Sequence, residues 1–316
     1  MNRALILAIA AGAIAPAALA QEAMYTQAAT MPAAGNTLLR QQFHIYESGY
    51  NPETGDRGTR MFQSETSLQV GLDVGWSLTI KALAEQSKTD LPLPGGGSDT
   101  ETDFSSLDVM AKYRFYMNNP GGVDTERAAL LFGLRADMED SVNGDPHIGI
   151  VYTRVHGLHG FNVELHYTMT TGGVEDRRDN VLGGEGTADA FNYNFAYVYR
   201  VYPTAYTAES NGAWYVTAEI NGIYETNGDN EIRFSPGLMF EGRRWGFELM
   251  AQLPVQNSLD HRPELDWAVG VGVRLLFSRR NRSEPEASAR EAARGFASAA
   301  RSKSTADSPS LVSLPR

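Results

Sequence analysis

Residues 265–277, Leu-Asp-Trp-Ala-Val-Gly-Val-Gly-Val-Arg-Leu-Leu-Phe, constrain the fold more than any other stretch of the chain. Leu265, Trp267, Val269, Val271, Val273, Leu275 and Phe277 fall on one face of an extended strand. Asp266, Ala268, Gly270, Gly272, Arg274 and Leu276 fall on the other, because side chains alternate at a period of two. One face is wholly apolar and the other is mostly small or charged. A transmembrane β-strand needs about 9–11 residues in the hydrocarbon, and aromatic residues mark its interfacial ends. The pattern predicts the closing strand of a membrane β-barrel.

The same alternation recurs upstream. Leu39, Phe43 and Ile45 alternate with Arg40, Gln42 and His44; Leu107, Val109, Ala111, Tyr113 and Phe115 alternate with Asp108, Met110, Lys112 and Arg114. Phe191, Tyr193, Phe195, Tyr197 and Tyr199 oppose Asn192, Asn194, Ala196, Val198 and Arg200. Counted in this way, residues 37–277 hold twelve strands, and an even count returns both ends of the barrel to one side. Only the strand around His147 to Val155 has no clear phase. The expected fold is therefore all-β, an up-and-down antiparallel transmembrane barrel. A soluble barrel or sandwich would turn the apolar face inward, and a twelve-strand circumference is too wide to fill that way.

Connections give an independent check. With the first strand running outward, 74–76, 156–160 and 241–244 are short periplasmic turns, while 47–59, 86–103 and 171–189 are long outer loops. That is the usual asymmetry of such barrels. Two links on the short side, 117–126 and 203–212, are longer than it requires.

The ends read differently. Arg3, an apolar run from Ala4 to Ala17, and Ala18-Leu19-Ala20 have the layout of a secretory signal peptide over residues 1–20. Residues 21–36 are expected as an N-terminal periplasmic extension. Residues 278–316, rich in Ser, Ala, Arg and Pro, are expected as a flexible periplasmic tail. The chain contains no cysteine, so neither thiolate metal sites nor thiol catalysis is available to it. Residues 21–277 carry 18 basic and 34 acidic side chains, which opposes nucleic-acid binding.

Lumen-facing ionisable residues are the candidate functional set: Arg40, Glu65, Glu85, Lys112, Arg114, Arg135, Asp137, Glu164, Arg200, Glu219, Arg233, Arg244, Glu248 and Arg274. Arg40, Lys112, Arg114, Arg200, Arg244 and Arg274 sit low on this assignment, and Glu65, Glu85 and Asp137 sit high. Such a lumen is acidic at the outer mouth and basic below, an arrangement that sets selectivity in an open pore. The competing expectation is that these groups cross-link in pairs and fill the barrel. Arg at Gly270 or Gln252, which face the lumen, is expected to cost much less than Arg at Val271 or Leu249, which face lipid.

Catalytic and metal signals are weak. No histidine is followed two residues later by serine, the spacing that lets imidazole activate a hydroxyl on a barrel wall. His156, His159, His166 and Glu164 match no ligand spacing, and no cofactor is expected.

With Lys112-Tyr113-Arg114-Phe115, Pro236-Gly237-Leu238 and the closing strand in view, residues 37–277 resemble the outer-membrane transporters grouped with the MetA pathway of phenol degradation. The resemblance implies a passive outer-membrane channel for small solutes, hydrophobic or aromatic compounds among them, and carries over no site residue. The expected partners are outer-membrane lipid, the barrel-assembly machinery with its periplasmic chaperones, and the small-molecule solute. A structural or surface-interaction barrel with a plugged lumen is the second reading, and an outer-membrane hydrolase the third.

Overall fold

The computed structural model describes residues 22–50, 57–90, 98–121, 123–138, 143–171, 188–207 and 209–278. Residues 1–20 and the tail beyond Ser278 lie outside this set, so the expected signal peptide and flexible tail do too.

Twelve antiparallel strands form a closed barrel in which each pairs with its sequence neighbours and β1 meets β12. They are β1 (Thr37–Tyr50), β2 (Arg57–Asp73), β3 (Trp76–Asp90), β4 (Ser98–Gly121), β5 (Asp124–Asp137) and β6 (Asn143–His156). The circuit continues through β7 (His159–Thr168), β8 (Ala190–Tyr202), β9 (Gly212–Glu225), β10 (Asn230–Gly242), β11 (Trp245–Ser258) and β12 (Leu265–Phe277). Closure leaves no free sheet edge, so backbone polar groups are satisfied between strands.

The outer wall carries the apolar sets. Phe43, Ile45, Val109, Leu134, Leu165, Phe195, Val216, Leu238, Leu249, Val271 and Val273 are all exposed. The inner wall carries Gln42, Lys112, Asn162, Glu164, Glu219, Arg233, Glu248 and Arg274, all buried. Apolar outside and polar inside inverts the soluble arrangement and requires a hydrocarbon solvent around the barrel. Near the turn end of the barrel, Trp214, Phe240 and Trp245 form a ring cluster with centroids about 5 Å apart, as an interfacial girdle would.

β6 shows why its phase was illegible. Ile148 and Ile150 face outward, while Val151, Thr153 and Val155 face inward and are buried. Apolar residues on both faces erase the period. The inward Val151 joins Met110, Ala129 and Leu131 in an apolar patch on the lumen wall.

Two links depart from the sequence reading. β4 and β5 continue as a hairpin to Gly121 and Asp124, so 117–126 is strand rather than long loop. In the 203–212 link, Tyr206 turns inward and packs against Val198, Ala213, Tyr215 and Met239.

Within the N-terminal extension, residues 22–30 run inside the lumen: Ala23, Met24, Thr26, Ala28, Ala29 and Thr30 are buried, and Ala29 docks on the apolar patch. The chain leaves this segment through residues 31–36 and enters β1.

Candidate functional site: the filled lumen

The inserted segment has the composition its position demands. Glu-Ala-Met-Tyr-Thr-Gln-Ala-Ala-Thr, residues 22–30, is small and nearly uncharged, so it can approach the wall closely. It adopts neither helix nor strand, and its backbone groups need partners from the wall. Acidic wall residues accept from its N–H groups, and basic ones donate to its carbonyls.

Glu219 of β9 is fully buried and accepts from the backbone N–H of Met24 (3.0 Å), Tyr25 (3.3 Å) and Thr26 (2.7 Å), and from the Thr26 hydroxyl (2.6 Å). Glu164 of β7 accepts from Gln27 N (3.0 Å), Gln27 Nε2 (3.1 Å) and Asn194 Nδ2 (3.1 Å). The Ala29 N–H donates to Thr153 Oγ1 at 2.8 Å. On the carbonyl side, Lys112 Nζ donates to Ala28 O at 2.7 Å. Arg40 donates to Ala23 O (3.0 Å) and Met24 O (3.2 Å), and Arg274 to Glu22 O (2.6 Å). The charge-assisted bonds among these are the strong class, and they solvate buried wall charges with backbone dipoles. Burial raises the Tyr25 phenol pKa, and the neighbouring Tyr46 and Glu219 raise it further. Tyr25 is therefore a neutral hydroxyl, and it lies 3.2 Å from His44 Nδ1.

Several wall charges also pair with one another or with neutral side chains. Glu248 bridges Arg40 (2.8 Å) and Arg274 (2.5 Å) and accepts from Gln42 Nε2 (3.0 Å). Glu65 meets Lys81 at 3.3 Å, Arg135 approaches Asp145 at 3.7 Å, and Glu85 accepts from Gln63 at 2.7 Å. Arg200 stacks on the Tyr206 ring, 4.3 Å from its centroid, and reaches Thr204 O at 3.4 Å. Arg233 pairs with Glu231 at 2.5 Å.

The polarised lumen does not survive this geometry. Arg233 sits beside Glu231 toward the loop end, and Glu248 sits between Arg40 and Arg274 toward the turn end. Opposite charges lie together in both clusters because an unpaired buried ion would cost several kcal/mol. Arg244 is exposed in the β10–β11 turn rather than on the lumen wall. Arg114 is on the inner face, half-buried near Arg127, which donates to Thr125 Oγ1 at 3.0 Å. Asp137 ends β5 opposite Ser106 and Asn143. In the closing strand, Trp267, Val269, Val271, Val273, Leu275 and Phe277 all face outward.

Three features escaped the sequence. The first is the inserted segment itself. The second is a latch at the loop end: Arg262, in the β11–β12 loop, is buried and bonds Glu225 (2.9 Å) and Glu231 (2.8 Å). Burial works against the Arg262 charge, but Glu231 and Glu225 raise its pKa above the ordinary value. Beside it Asp229 accepts from the N–H groups of Asp260 (2.8 Å) and His261 (3.2 Å). The third is a chain on the inner wall, where His147 Nδ1 lies 2.6 Å from His166 Nε2 and His147 Nε2 lies 3.1 Å from Asp108 Oδ1. No cluster that could hold a metal ion occurs among the described residues. The strand assignment placed Asp108 and His166 on the inner wall but left His147 without a phase; the register that puts His147 opposite Thr168 brings it to His166.

No protein-family model matches the chain, and no curated protein matches it. Solved structures do match. The COG4313 outer-membrane channel from Pseudomonas putida F1 is 10% identical, with a TM-score of 0.50 over 78% of this chain and 97% of that one. The β domain of the Bordetella autotransporter Brka is 14% identical, with a TM-score of 0.46 over 77% and 100%. The NanC porin is 8% identical, with a TM-score of 0.45 over 75% and 98%. The narrower resemblance to transporters grouped with the MetA pathway is not confirmed by these matches. The chain has the fold of a Gram-negative outer-membrane β-barrel.

Proposed function

We propose that this barrel is a passive outer-membrane conduit for small solutes, held closed by its own N-terminal segment. The observation that carries the reading is how residues 22–30 are held. They contribute no strand to the wall, and they are fixed by side chains of six strands through bonds to their backbone. Withdrawing such a segment removes material from the lumen and leaves every inter-strand hydrogen bond in place. The short-turn end, from which the segment enters, is assigned to the periplasm. Flux through the opened lumen would follow the gradient.

The plugged structural barrel remains the second reading, and conductance separates the two. In planar bilayers the mature protein is expected to show rare, brief openings. Glu219→Gln, which keeps the shape but replaces an acceptor oxygen by a donor facing the segment's N–H groups, is expected to raise the open fraction about tenfold or more. A variant that folds as a heat-modifiable barrel yet conducts no more than the parent protein defeats the conduit reading.

A further inference from the structure

Above Tyr25 of the inserted segment lies a cavity of about 160 Å³, walled by Tyr46 of β1, Asn192 and Asn194 of β8, Asn221 and Ile223 of β9, Arg233 of β10 and Gln252 of β11. An apolar cavity of about 150 Å³ accommodates a benzene-sized ring, so this one suits a single ring and not a chain of them.

Its chemistry excludes most small solutes. No carboxylate lines it, so a cation or the ammonium of a zwitterion finds no counter-charge. Its one cationic side chain, Arg233, is committed to Glu231 at 2.5 Å and reaches Gln252 Oε1 at 3.4 Å. An anion would have to compete with a buried carboxylate already in contact. Asn194, Asn221 and Gln252 already bond protein groups, but an apolar ring would strip water from the Asn192 amide without replacing its hydrogen bonds, which costs about 1–3 kcal/mol for each group left unpaired.

What remains is a neutral solute with hydroxyls around its rim. Carboxamides offer a donor and an acceptor on one group, which matches a hydroxyl that both donates and accepts. Asn221 and Asn194 already bond one another at 3.4 Å, and Asn221 Oδ1 accepts from Ser235 at 2.8 Å, so their orientation is fixed before a ligand arrives. Asn192 is half-buried, and its amide has no partner among the described residues. The rings of Tyr25 and Tyr46, with Ile223, add flat apolar surface for the C–H face of a sugar. The Tyr46 hydroxyl is held by Gln63 Oε1 at 3.4 Å.

We infer that this cavity is a binding site for a neutral polyhydroxylated solute of monosaccharide size. The inference deepens the conduit reading and rests on it for its biological sense, but the binding test is independent of conductance.

Saturation-transfer NMR on the mature chain in detergent micelles, with D-glucose as probe and benzoate and glycine as comparisons, reads the site directly. Glucose should receive saturation, and benzoate and glycine should not. Asn192→Leu should weaken glucose about fivefold, the loss of one hydrogen-bonding group. Ile223→Trp, which fills the cavity, should abolish the signal, and heat-modifiable migration identifies variants that have folded. If Asn192→Leu fails to fold, Ile223→Trp carries the test alone; if both fail, the order of glucose over benzoate in the parent protein decides it. Absence of transfer to glucose, an equal or stronger benzoate signal, or a glucose signal unaltered in a folded variant overturns the site. Conductance without glucose binding removes the site and leaves the conduit, whereas binding without conductance removes the conduit and leaves the site.

Discussion

Along β12 the outward residues Val269, Val271 and Val273 meet only a uniform apolar solvent, while the inward residues between them meet particular atoms. A Cβ on Gly272 would lie 2.3 Å from Glu248 Oε1, and one on Gly270 would lie 2.7 Å from both His44 Nδ1 and Met24 Sδ. Glycine at these two positions lets Glu248 and the inserted segment come up against the wall. The outer face needs only to be apolar and accepts many residues that are. The inner face is a fitted interior like the core of a soluble protein, with ion pairs in place of aliphatic packing. The expectation that Arg is well tolerated at Gly270 or Gln252 is therefore reversed, since Gln252 is 2% exposed and bonds Ser235 at 3.2 Å.

The largest effect should come from the inner face. Glu248→Ala leaves Arg40 and Arg274 buried without their shared counter-charge, and should destabilise the barrel by about 3–5 kcal/mol in urea unfolding from liposomes. A loss below about 1 kcal/mol would mean that water reaches these arginines and that the lumen is not filled. Next comes the outer face, where Val271→Arg should cost about 2–4 kcal/mol in the same assay. If Val271→Arg is tolerated, the outward face does not meet hydrocarbon.

A finer comparison uses methyl-sized changes on adjacent residues. Gly272→Ala should cost about 1–3 kcal/mol by crowding Glu248, and Val271→Ala less than that, because lipid fills the space. The reverse order would place the fitted surface on the wrong side of the strand. The smallest effect belongs to the exposed pair of Arg60 with Glu47 at 2.7 Å, where Arg60→Ala should change stability by about 0–1 kcal/mol and less in high salt.

The same contrast governs what could be read from the chain. Outward faces obey a rule with one variable, hydropathy at a period of two, and β1, β4, β8 and β12 were legible from it. β6 was not, because Val151 and Val155 serve the lumen rather than the lipid. Inner-wall membership of Glu164, Glu219 and Glu248 was equally legible, but their partners were not. Pairing Glu219 with Thr26 joins residues 193 positions apart, which no local pattern reports. The long-range register of the barrel creates those neighbours, and residues 22–30 carry no periodicity that marks them as an inserted segment.

The contacts at Ala23 bear on the order in which the barrel is assembled. Its carbonyl receives Arg40 from the first strand at 3.0 Å and Arg274 from the last at 3.4 Å, and Glu248 ties both arginines together. This knot spans the seam between β1 and β12, the pairing with the greatest separation along the chain. Contacts so distant form late, after most of the loop-closure entropy has been lost. A wall that closed first would leave the segment to be threaded into a filled tube through its turn end. Enclosure at the moment of closure avoids that barrier, and it makes the first residues of the barrel a template on which the last strand docks.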